Sequence, residues 1–138
     1  MTWIAAHIRW VMLISGALTS TMVYAAIAPQ AALQSTFGET LEGPLAEILV
    51  RNWGALVGLV GVMLIVGAFH APSRALALTI AGVSKAVFIT LVATEAPRFL
   101  FARAGLAVVS DVIAVGLYIA YAMGPRRATP SIEPQHTV

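Results

Sequence analysis

At 138 residues the chain is one domain in size, yet 59% of it is apolar, only 10% is charged, and its mean hydropathy is +0.89. Ordinary soluble domains carry roughly 25% charged residues, so that class is excluded. The net charge of +2 comes from eight Lys and Arg scattered singly apart from Arg126-Arg127, too sparse a set for a nucleic-acid surface. There is no cysteine, which excludes disulfides, thiolate metal sites and thiol redox chemistry.

Segment length decides what the apolar residues are for. Several runs reach the ~20 residues needed to cross a ~30 Å hydrocarbon core. The expected class is all-α, an integral membrane four-helix bundle in residues 1–124, with the lipid bilayer as its first partner. In the first run, Arg9 precedes VMLISGALTSTMVYAAIA, which ends in Ala26-Ile27-Ala28 like a signal-peptide cleavage site. Pro29 is a poor residue immediately after such a site, so the run is read as a retained helix one over about residues 6–28.

Residues 29–43 form the longest polar interruption before the tail. Leu33, Phe37 and Leu41 recur every four residues there, the spacing of a short helix lying on a membrane surface. Pro44 suits a first helical position, where its missing N–H would be unpaired anyway. Helix two is expected over 44–69, with Glu47 and Arg51 as an i,i+4 pair. A tight turn follows at His70-Ala71-Pro72-Ser73, because the residue before proline resists helix. Helix three is expected over 74–95, ended by Ala96-Pro97, and helix four over 104–123, stopped by Gly124-Pro125. The polar tail 125–138 reads as flexible.

Four spans with short connections give an up-down-up-down order with the termini on one side. Trp3, Trp10, Phe69, Tyr118 and Tyr121 fall toward that interface, and Trp53, Phe99 and Phe101 toward the other. Arg9, Arg74, Arg126 and Arg127 on the terminal side outnumber Arg51, Arg98 and Arg103. That balance favours a bacterial inner membrane protein with both termini cytoplasmic. Gly54, Ala55, Gly58 and Gly61 crowd one side of helix two, and Gly54-x-x-x-Gly58 permits close backbone approach.

The stretch AGVSKAVFIT places Lys85 in the middle of helix three, where a charge costs ~2.5–3.5 kcal/mol on insertion scales. Helix four supplies Asp111 in VVSDVIAVG. At ~1.5 Å per residue, Lys85 lies roughly 16 Å and Asp111 roughly 12 Å from the end where helices three and four are joined. A lysine stem covers that difference, so the two are expected to pair. Asp111 shares its stripe with Ala104, Ala107, Ala114 and Tyr118, and Lys85 shares its own with Ala81, Gly82, Phe88, Ile89 and Val92.

The expected site therefore has Lys85 and Asp111 as floor, with Glu95 as a second acid. Arg51, Asn52, Arg98 and Tyr118 complete it as ligand-binding residues. Its acid, base and electrostatic equipment suits isomerisation, cyclisation or hydration of a lipophilic molecule, and equally suits binding one. No cofactor is expected. His7 and His70 fall near one interface, but interfacial histidines more often stand alone than hold a metal or haem. Ser15, Thr19, Ser20 and Thr21 lack a His–Asp partnership and are expected to bond back to their own carbonyls.

Two other roles fit the same chain. One is an accessory subunit of a larger membrane complex, docking through the glycine-lined helix two. The other is a small dimeric transporter, although helix one lacks the embedded acidic residue that small four-helix multidrug exporters carry.

The run RNWGALVGLVGVMLIVGAFHAPSRALALTIAGVSKAVF resembles the middle of small four-helix bacterial membrane proteins of the DoxX-like kind. The likeness spans roughly residues 45–122 and rests on the span pattern, Arg51, Pro72 to Arg74 and a late acidic residue. It implies the four-helix fold and carries over no catalytic residue.

Overall fold

The computed structural model describes residues 2–95, 97–101 and 103–124, and for residues 2–5, 95, 97, 101 and 103 the backbone alone. The tail expected to be flexible lies outside the described residues. Among those described there is no strand. The chain runs α1 (Thr2–Ser20), α2 (Val23–Ile27), α3 (Pro29–Phe37), α4 (Pro44–Phe69), α5 (Ala71–Glu95), a 3₁₀ turn (Pro97–Phe101) and α6 (Arg103–Ala122). Four segments are long and apolar enough to cross a membrane: Ala6–Ile27, Pro44–Phe69, Ala71–Thr94 and Ala104–Ala122.

The first of these is not one helix, as the sequence suggests, but two. The Thr21 amide and hydroxyl both turn back to the Leu18 carbonyl, at 3.3 and 2.6 Å, and the Met22 amide bonds Thr19 O at 3.1 Å. These three-residue closures tighten the chain and interrupt the regular ladder. The break falls where α4 comes closest.

That closeness is the work of glycine. A Cβ added at Gly16 would sit 2.8 Å from Gly61 O, and one at Gly54 would sit 2.7 Å from Ala25 Cβ. One at Gly61 would collide with the Ser20 amide. Contacts from Met12–Gly67 through Val23–Gly58 to Ala25–Gly54 rise along the first segment as they fall along α4. The stripe is thus consumed inside the chain, which removes helix two's glycine face as an external docking surface.

The connection between α4 and α5 is shorter than the expected four-residue turn. Only His70 separates them, because Pro72 sits in the first turn of α5, where it needs no N–H partner. Arg74 reaches back to the Gly67 and Ala68 carbonyls at 3.2 Å each, satisfying acceptors left over at the end of α4. In the long interruption, α3 stops at Gly38, whose φ of 76° caps it in the left-handed region. Leu41 therefore lies beyond the helix and is exposed, contrary to the four-residue pattern.

The long helices close into a ring, α1 against α4, α4 against α5, α5 against α6 and α6 back against α1. Ile8, Met12, Leu64, Ala68, Ala77, Leu78, Ala81, Ala114 and Tyr118 fill its centre. Tyr118 belongs to this core at 4% exposure and not to an interfacial belt. At the other end, Ala32 and Leu33 of α3 pack with Ala25 and Val50. There Phe37 meets Trp53 at 6.3 Å and Phe99 edge-on at 5.3 Å.

Candidate functional site

One face of α1 carries Ile8, Met12, Ser15 and Thr19, spaced four, three and four residues apart, so all four project the same way. The first two are fully buried apolar residues. The next two bring hydroxyls into the same interior. Across from them, α5 contributes Lys85 below Ala81, and α6 contributes Asp111 and, two turns on, Tyr118.

These side chains form two polar layers. In one, Lys85 Nζ makes a close salt bridge to Asp111 Oδ1 and donates to Thr19 Oγ1 at 3.2 Å. In the other, Tyr118 Oη donates to Ser15 Oγ at 2.6 Å. Ser15 and Thr19 are one turn apart, which separates the layers by about 6 Å. The Lys85 and Asp111 side chains are 9% and 16% exposed, so the acid is the more reachable partner.

The cluster is not saturated. An ammonium has three N–H donors, and among the described residues Lys85 uses two. Asp111 Oδ2 accepts no bond among them either. A cation and an anion held this close compensate each other, whereas either alone in a low-dielectric interior would cost several kcal/mol. Such a pair can polarise, hydrogen-bond or exchange a proton with a molecule that reaches it.

The structure does not gather the other expected residues around this pair. Arg51 is exposed and engaged at the end of α2. It pairs with Glu47 at 2.7 Å and donates to the Ala26 and Ile27 carbonyls at 2.7 and 3.2 Å. A cation suits that position, because the last carbonyls of a helix lack internal partners. Ala26 lies seven residues beyond Thr19, roughly 10 Å along the segment, so Arg51 is a clamp and not a lip to the pair. Asn52 is exposed beside it. Arg98 is exposed as well, bridging to Glu39 at 3.1 Å and stacking over the Phe99 ring at 4.9 Å. The Glu95 side chain lies outside the described residues.

Sequence reasoning also missed two members. Thr21 does bond back to its own helix, as do Ser110, Thr79, Thr90 and Thr94. Ser15 and Thr19 instead reach across to α6 and α5. The signal was their spacing from Met12, which puts them on the packed face. His70 Nδ1 lies 3.1 Å from Ser73 Oγ, a local contact within the turn. Among the described residues no three His, Asp or Glu gather as metal ligands would.

No family model, curated protein or solved structure matches the chain.

Proposed function

We propose that this is an integral membrane protein that binds an amphipathic or lipophilic small molecule at the Lys85–Asp111 cluster between α1, α5 and α6. Its four spans run up-down-up-down, with both termini on the cytoplasmic face of a bacterial inner membrane. One observation carries the reading: polarity is distributed inside out. Lys85 is 8% exposed, while Leu59 is 63% and Leu106 74% exposed on outward helix faces. In water that arrangement would be costly on both counts. In lipid the outward leucines are solvated, and a charge held within the ring is a functional candidate by default.

Helix register alone is a poor reason for the pair, since well-packed apolar residues can fix a bundle at least as stably. Among the described residues Lys85 keeps an unused N–H and Asp111 an unbonded oxygen, which fit a ligand better than they fit a strut. Acid/base turnover by the same two groups would be an addition to binding and needs no further residue. The accessory-subunit role is the weaker alternative, because the glycine face it required is covered by α1 and α2. The DoxX-like resemblance is compatible with this proposal and assigns no residue a role.

Native mass spectrometry of the purified protein in mild detergent, beside Asp111→Asn, tests the reading. A small molecule carried by the wild type and lost from the variant is the expected result. Bare protein in both samples would count against it.

A further inference from the structure

The end of the bundle where α4 passes into α5 carries charge of one sign. Arg9 and Arg74 sit there beside His70, whereas the described carboxylates lie elsewhere. Glu39 and Glu42 belong to the α3–α4 connection and Glu47 to the first turn of α4, all at the opposite end. Asp111 is held in the interior. Among the described lysines and arginines, Arg51, Lys85 and Arg98 each meet a carboxylate. Arg74 is spent on the carbonyls that end α4. Arg9 alone has neither kind of partner among the described residues. Its guanidinium rests 5.5 Å from the centroid of the Phe69 ring.

That contact positions a cation without neutralising it. A ring face attracts a guanidinium through its quadrupole and leaves the N–H fork to hold a phosphate by two parallel bonds. Both residues are exposed, so the fork is open to the surroundings. Trp10, the next residue of α1 and also exposed, marks this level as that of the headgroups, where indoles are enriched. From Phe69 an apolar face continues along α4 through Val66, Val62 and Leu59, spaced three, four and three residues and all exposed. A phosphate that carries acyl chains fits both parts. A zwitterionic lipid fits less well, because its ammonium would find Arg74 nearby and no described carboxylate to receive it.

We propose that Arg9 and Phe69 form a surface site for one anionic phospholipid, with its phosphate on the Arg9 guanidinium and an acyl chain along the Phe69–Leu59 face of α4. The site rests on the membrane reading above and not on a ligand at Lys85–Asp111. Charge complementarity selects the lipid, since each basic residue near an anionic membrane surface strengthens binding about fivefold.

The test adds dioleoylphosphatidylglycerol or dioleoylphosphatidylcholine, at equal concentration, to the full chain in mild detergent and measures bound lipid by native mass spectrometry. The wild type should retain the anionic lipid about fivefold over the zwitterionic one. Arg9→Gln should bring the two to parity. Arg98→Gln, at an equally exposed arginine that Glu39 already pairs, should leave the preference intact. Phe69→Leu keeps the charge but frees the guanidinium and should weaken the preference about twofold, which keeps the proposal testable if Arg9→Gln does not fold. Glycerol 3-phosphate, a headgroup without chains, should not displace the lipid. Equal retention of both lipids by the wild type, an undiminished preference in folded Arg9→Gln, an equal loss in Arg98→Gln, or displacement by glycerol 3-phosphate would overturn it. Asp111→Asn should keep the lipid preference, so this inference and the ligand reading of the Lys85–Asp111 cluster stand or fall separately.

Discussion

Between α1 and α4 an added methyl at Gly54 would sit 2.7 Å from Ala25 Cβ, whereas between α5 and α6 one at Gly82 would sit 3.8 Å from the Tyr118 ring. Both seams are lined by small residues, but they use them differently. In the first, backbone meets backbone, and the glycines leave no room for anything else. In the second, small residues stand beside a salt bridge and two hydroxyls, and an added methyl would make only ordinary van der Waals contact. A small residue in a helix interface therefore has no single meaning. What faces it decides whether it lets two backbones close together or leaves them at ordinary packing distance.

The sharpest way to break this comparison is to remove one charge. Lys85→Met leaves Asp111 buried without its cation and should cost about 3–5 kcal/mol in a detergent melt. Adding Asp111→Leu should restore stability to within about 1 kcal/mol of wild type, since apolar residues can replace a buried pair. Additive losses in that double-mutant cycle would mean that the two residues do not act as a pair.

The tight seam comes next. Gly61→Ala drives a methyl into the Ser20 backbone and should cost about 1–3 kcal/mol by overpacking. Circular-dichroism melts of this variant should show the loss without any change in helix content. Thr19→Val keeps the shape but deletes the second acceptor of Lys85, at an expected cost of about 1 kcal/mol. Gly82→Ala should shift stability by less than about 0.5 kcal/mol, because the new methyl makes only an ordinary contact. Equal melting shifts for Gly61→Ala and Gly82→Ala would erase the distinction between the seams.

The parts of this structure that are legible in the sequence are those with a strong local cause. Apolar runs of span length mark the four long segments, and a lysine and an aspartate inside two of them point to each other. Gly54-x-x-x-Gly58 announces a close approach. What stays hidden depends on partners the chain does not name. The break after Ser20 arises from Thr21 closing on Leu18, which an apolar run conceals. Arg51 looks free for a ligand until the end of α2, with its unpaired carbonyls, is seen beside it. Tyr118 reads as interfacial because tyrosines commonly are, yet Ser15 offers its hydroxyl a partner in the core.

The central claim is that the Lys85–Asp111 cluster holds a ligand and is not only a strut. The double variant Lys85→Met with Asp111→Leu tests this most directly, because it removes the polarity and should keep the fold. Its melting temperature and its bound mass are read on the same detergent preparation as the wild type. The account predicts a variant that melts near the wild type and carries nothing where the wild type carries a small molecule. A folded double variant that still carries that molecule would contradict it and leave the pair a structural element alone.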